Sequence, residues 1–184
     1  MVVSLGPAAA PGWVAARLAG RTGVRWVGVD GFGGAGKSTL AARIAAALPG
    51  ATVVSVDDFG RAGLTGWAQS EFARRVLEPL RAGRPGRYQT WDLDADAPTG
   101  WVEVPVGVPV VVEGVSATDA RVPVPWDLRL WLAVPAAVRR RRIEQRDADR
   151  LDVWRDDWWP AEQAYARAQQ PWRRADAIVR GGLR

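Results

Sequence analysis

Residues 24–40 read VRWVGVDGFGGAGKSTL, an apolar run that empties into Gly31, Phe32, Gly33, Gly34, Ala35, Gly36, Lys37 and Ser38. This is the Gly-x4-Gly-Lys-Ser pattern of a phosphate-binding loop, and its surroundings suit it. Trp26, Val27 and Val29 upstream predict a buried strand, while Leu40, Ile44, Ala47 and Leu48 recur at helical spacing until Pro49-Gly50. Glycines let the backbone curl so that its N–H groups face an anion, and the following helix adds its positive N-terminal end. Gly31, Gly33, Gly34, Ala35, Gly36, Lys37, Ser38 and Thr39 are therefore the expected phosphate contacts. Lys37 would reach the outer phosphates and the Ser38 hydroxyl would hold Mg2+.

Composition sharpens this reading. Of 25 basic residues Lys37 is the only lysine, and asparagine is absent. Lysine thus stands at the one place where a compact, flexible ammonium differs functionally from a planar guanidinium. The chain has no cysteine and no histidine, which excludes disulfides, thiolate metal sites and Ser-His-Asp triads. Carboxylates, arginines, Lys37, hydroxyls and hard cations remain, with Mg2+ ahead of any transition metal. At 184 residues a single domain is expected. No stretch approaches a membrane span, and the N-terminus lacks the basic start of a signal peptide, so a soluble cytoplasmic protein is the expectation. The +5 net charge could suit nucleic acid, but acidic residues are nearly as numerous and the high pI follows from arginine usage; nucleic acid is not the expected partner.

In chain order, Pro11 to Gly20 predicts a short amphipathic helix within an N-terminal helical extension, 1–22. Ala51 to Val56 predicts a second buried strand, ending at Asp57-Asp58-Phe59. Carboxylates just past such a strand lie at the carboxyl edge of an open parallel sheet, where the phosphate loop also sits. Trp67 to Leu80 predicts a helix that kinks or ends near Pro79. Residues 84–106 hold two short runs, Tyr88 to Trp91 and Trp101 to Val104, read as a loose hairpin or flap. Val108 to Gly114 (VPVVVEG) is too apolar to be exposed and ends in Glu113. A fourth strand, Asp127 to Val134, precedes an arginine-rich helix at 136–150. A helical region from Asp152 to about Gln169 and a short strand at Ala177 to Val179 complete the order. Strands alternating with helices predict an α/β fold with about five parallel strands flanked by helices.

Phosphoryl transfer to an alcohol needs a carboxylate for the hydroxyl proton, an oxygen set for the metal, and positive charge on the transferring group. Asp57 is the expected base, with Asp58 its alternate. Glu113, a carboxylate closing a buried strand, must find a partner or a metal. Arg139, Arg142, Arg146 and Arg150 fall on one helix face able to present guanidinium forks to ATP phosphates, with Arg142 and Arg146 foremost. Tyr88 and Trp91 could stack on a planar base.

Val29 to Thr39, Ser55 to Phe59 (SVDDF), Val110 to Val115 (VVVEGV) and Arg142 to Asp147 together resemble the uridine kinase and phosphoribulokinase group of phosphate-loop kinases. The resemblance spans about residues 24–150. It implies the P-loop NTPase fold, with Asp57 as catalytic aspartate, Lys37 and Ser38 as phosphate and Mg2+ ligands, and Arg142 and Arg146 as lid arginines. It also implies ATP as donor and a nucleoside 5'-hydroxyl as acceptor. Two departures bear on the acceptor: Gly60 stands where uridine kinases usually carry Tyr, and no histidine is present. A nucleotide acceptor would need arginines near the second strand's end, where Arg61 is the immediate candidate. Alternatives are a sugar or vitamin kinase, and a regulator that binds ATP without transferring phosphate.

Overall fold

The computed structural model describes residues 2–60, 66–92 and 95–182. Six parallel strands form one sheet in the order β1-β8-β7-β2-β6-β3. They are β1 (Val3–Leu5), β2 (Arg25–Asp30), β3 (Thr52–Ser55), β6 (Pro109–Gly114), β7 (Leu128–Ala133) and β8 (Ala177–Arg180). The central β2 and β6 are buried almost throughout, the signature of strands covered on both faces.

Sequence periodicity accounts for five of these strands but not for β1. Its three residues alternate in burial and lie just before Pro7, too short a run to register as a strand. It pairs in parallel with β8, Val3 opposite Ala177 and Leu5 opposite Val179, so the first residues build a sheet edge ahead of α1 (Ala10–Leu18). The sheet has six strands, not five.

Helices cover both faces. On one, α1 and α2 (Lys37–Ala46) bury Val14, Leu18, Leu40, Ala41 and Ile44 against Val27, Val29, Val111 and Leu130. On the other, Phe59, Trp67, Phe72, Val76, Leu77 and Tyr88 pack on Val54, Val110 and Val112. The antiparallel hairpin β4 (Gly86–Asp92) and β5 (Ala97–Val104) lies on this second side, Tyr88 opposite Val102 and Gln89 opposite Trp101.

Two helical runs contain a wide π-turn, and both turns precede a proline. In the first, α3 (Gln69–Phe72) passes through Ala73–Leu77 into α4 (Glu78–Arg81), with Pro79 beyond. In the second, α6 (Leu151–Val153) passes through Trp154–Trp158 into α7 (Trp159–Gln169), with Pro160 beyond. Proline has no N–H to donate and its ring crowds the carbonyl four residues back, so a widened turn keeps the run continuous. Pro79 therefore leaves the helix unbroken. Among the described residues no helix is long and apolar enough to cross a membrane.

Candidate active site at the carboxyl edge of the sheet

Strand order brings the chemistry together. β6 lies between β2 and β3, so Glu113 at its end is in register with Val29 on one side and Ser55 on the other. The glycine-rich loop leaves β2 on one flank, and Asp57 and Asp58 leave β3 on the other, inside the short 3-10 turn Val56–Phe59. The Ser55 hydroxyl caps that turn, accepting the Asp57 N–H at 3.3 Å.

Within the loop, Gly36 adopts a left-handed conformation (φ 93°) as the N-cap of α2. Gly34 is left-handed too (φ 70°), and a Cβ there would lie 2.6 Å from the Arg139 carbonyl oxygen. Lys37 is buried, its ammonium donating to the Phe32 carbonyl at 3.2 Å. Ser38 and Thr39 are exposed at the helix start.

Glu113 is 4% exposed. Burial pushes its carboxyl up from the ordinary range and the neighbouring Asp57 charge adds to this, while Lys37 and the hydroxyls of Ser55 and Ser38 oppose them. The same groups define the site: the Ser38 hydroxyl and the charges of Asp57 and Lys37 all act on the Glu113 carboxyl. Two oxygen groups, the Ser38 hydroxyl from the first turn of α2 and the Glu113 carboxyl from the end of β6, come together at the N-terminus of α2, a set that suits a hard cation. Among the described residues no group of three or more acidic side chains could hold a metal alone, so any cation here would take its remaining ligands from phosphate and water.

The arginines of α5 (Ala136–Arg146) divide by depth. Arg139 is buried, donates to the carbonyls of Gly33 (3.3 Å) and Val134 (3.2 Å), and lies over the Phe32 ring. Arg142 donates to the carbonyls of Gly34 (3.2 Å) and Ala35 (3.3 Å). Both thus brace the loop through its outward-facing carbonyls. Arg146 forks onto Asp147 at 2.7 and 2.8 Å and lies within electrostatic reach of Asp57.

Tyr88 is buried, its ring 4.8 Å from that of Phe59 and its hydroxyl 3.3 Å from Asp58. Burial, with the Asp58 charge behind it, drives its phenol far above the usual range. Trp91 is on the hairpin, donating its indole N–H to Asp96 at 3.0 Å. Arg61 lies outside the described residues.

Three further carboxylate and phenol groups, Asp30, Glu162 and Tyr165, tie into the loop or its base, and Asp119 anchors the segment beyond Thr118. Asp30, which ends β2, accepts from the Gly31 and Ser116 N–H groups on one oxygen, and from the Thr118 N–H, the Thr118 hydroxyl and the Tyr165 hydroxyl on the other. Burial nonetheless holds its carboxyl above the ordinary range. Asp119 is fully buried; burial pushes its carboxyl up, but Arg121, Gln169 and Gln69 outweigh it and bring it down to about 2. Glu162, on α7, accepts the Gly33 N–H at 2.8 Å. For Asp30 a signal was present, a carboxylate closing an apolar strand just ahead of the loop. For Glu162, Tyr165 and Asp119 none was, since their distance from the loop in sequence hides it.

No family model and no curated protein matches the sequence. Solved structures do. A chain proposed as a uridine kinase from Bacillus stearothermophilus superposes with a TM-score of 0.67 at 19% identity, over 91% of this chain and 95% of the other. One proposed as a fructose transport system kinase from Silicibacter sp. TM1040 gives 0.66 at 24% identity, over 95% and 98%. This chain has the fold of a phosphate-loop kinase. In that fold the loop after β2, the Asp57 turn after β3 and Glu113 at the end of β6 occupy one edge of one sheet.

Proposed function

We propose that the chain is a kinase that transfers the γ-phosphate of Mg-ATP to an alcohol of a small molecule, a nucleoside being the first candidate. The observation that carries this reading is the convergence of Ser38, Glu113, Asp57 and Lys37 at one sheet edge. The loop's N–H groups and Lys37 bind and orient the phosphates. Ser38 and Glu113 are the residues that would hold Mg2+, which supplies charge neutralisation on the phosphate oxygens. Asp57, exposed at the turn, accepts the acceptor's hydroxyl proton as the oxygen attacks. Arg146, near Asp57, offers positive charge to the phosphoryl group in transit. Most of the acceleration then comes from positioning and fixed charge.

A sugar acceptor is the second reading. Tyr88 turns its ring into the core against Phe59 and leaves no open face for a base, whereas its hydroxyl and Asp58 form a polar pair suited to a polyol. The Silicibacter neighbour is itself proposed to serve fructose transport. ATP consumption measured over nucleosides, nucleoside monophosphates, sugars and vitamins tests both. Stimulation by nucleosides supports the first reading, and stimulation by sugars alone supports the second. A chain that binds ATP with no acceptor raising turnover is a regulator and not a kinase.

A further inference from the structure

Helix α7 carries a charge that phosphoryl transfer, as described, does not use. Glu162 is 5% exposed, and its Oε1 takes the Gly33 N–H at 2.8 Å. A carboxylate at that depth needs compensation. Burial holds the Glu162 carboxyl above its ordinary range and the Asp30 charge adds to this, while the Gly33 N–H and the charges of Lys37 and Arg139 oppose them. Two of the three opposing groups, a glycine N–H inside the loop and the loop lysine, are the groups that a phosphate-binding loop offers its ligand.

The same spot is covered by an aromatic ring. A Cβ placed on Gly33 would lie 2.6 Å from Glu162 Oε1 and 2.6 Å from two ring atoms of Trp154. Trp154 and Glu162 belong to one helical run, joined across the π-turn Trp154–Trp158, so a single element delivers both. Because the lysine of such a loop reaches the outer phosphates, a carboxylate that faces both Lys37 and Gly33 stands on the outer-phosphate side.

We infer that Glu162 is an internal anion of the phosphate loop, competing with the outermost phosphate of a nucleoside triphosphate for the Gly33 N–H and Lys37 and so setting how strongly the site prefers a triphosphate over a diphosphate. The inference rests on the nucleotide-binding reading above. Two anions cannot share one N–H donor, so either α7 withdraws or the triphosphate binds without that donor. In both cases the cost falls on the outermost phosphate.

Titration calorimetry of Mg-ATP and Mg-ADP against the full chain, Glu162→Gln, Glu162→Ala and Lys37→Ala tests this. Gln is nearly isosteric, so that variant removes the charge and keeps the packing. Freeing the donor and removing the like charge should tighten Mg-ATP by about tenfold in Glu162→Ala and by less in Glu162→Gln, where the amide oxygen can still accept from Gly33. Mg-ADP should change by less than about twofold on the same reasoning. An unchanged or reduced preference for ATP overturns the inference and makes Glu162 a brace of the loop. Wild type that binds both nucleotides, with Lys37→Ala losing them, keeps the nucleotide reading intact in that event. If no variant binds either nucleotide, both readings fall.

Discussion

Asp30→Asn should unfasten the site from its sheet. The Asp30 carboxylate gathers five donors: the Gly31 and Ser116 N–H groups on Oδ1 at 2.7 and 3.1 Å, and on Oδ2 the Thr118 N–H (3.1 Å), the Thr118 hydroxyl (2.7 Å) and the Tyr165 hydroxyl (2.6 Å). Asparagine has one acceptor oxygen. Placed to serve Thr118 and Tyr165, it points its NH2 at two backbone N–H groups that cannot rotate away. Each buried donor left without an acceptor costs about 1–3 kcal/mol, so the pair costs about 2–6 kcal/mol. Relief of a buried charge offsets part of this, since burial raises the Asp30 carboxyl despite its donors. A net loss of about 2–4 kcal/mol follows. With a urea m-value of about 2 kcal/mol/M, the midpoint at pH 7 should fall by about 1–2 M. An equilibrium urea titration reads this directly. A midpoint within about 0.3 M of wild type, at unchanged m, would refute the claim that Asp30 ties the loop to the β6–β7 connection and α7.

Further expectations follow from the same geometry. Gly34→Ala forces a Cβ to within 2.6 Å of the Arg139 carbonyl oxygen at a left-handed φ; the conformation alone costs roughly 1–2 kcal/mol, and nucleotide affinity measured by calorimetry should drop at least tenfold on the order of that strain. Glu113→Gln should separate stability from function. The Glu113 carboxyl is raised, so its contribution to stability is complete below the ordinary value of 4.5 and is lost as pH rises through the folded value. Gln should thus gain on wild type between pH 4 and pH 7 in chemical unfolding while Mg2+ dependence worsens; a stability difference independent of pH would count against the assignment. Asp119→Asn has the opposite sign. Its carboxyl is lowered to about 2, so its contribution is present above the ordinary 3.8 and disappears as pH falls through about 2. The shift corresponds to about 2 kcal/mol, to be read from unfolding curves at pH 7 and pH 2.

Legibility followed distance along the chain. The loop, its flanking strand and helix, and the buried runs of β3 and β6 all declare themselves within some fifteen residues, because glycine geometry and apolar periodicity are local. Asp57 and Glu113 were legible one step further out, since a residue that ends a strand of a parallel sheet must lie at its carboxyl edge. Two things were not legible. Three residues of β1 carry too little pattern to mark a strand, and only the open edge of β8 makes them one. Glu162, 129 positions beyond Gly33 in the chain, reaches the loop only because α7 folds back across the sheet edge. Arg139 was legible as one of a face of four arginines, but not as the one that sinks beside Phe32 to brace the loop. Burial among neighbours, not spacing, made that choice.

On the proposed function, Asp57 activates an acceptor hydroxyl beside a loop that holds Mg-ATP. Single-turnover phosphotransfer from radiolabelled ATP to the best acceptor, run for wild type and Asp57→Asn beside calorimetric ATP affinities, tests it most directly. Asp57→Asn is expected to bind Mg-ATP within about threefold of wild type, because Asp57 belongs to the turn after β3 and not to the loop that leads into α2, and to transfer phosphate slower by about 10²–10⁴-fold, the usual worth of a general base. Transfer at the wild-type rate would contradict it.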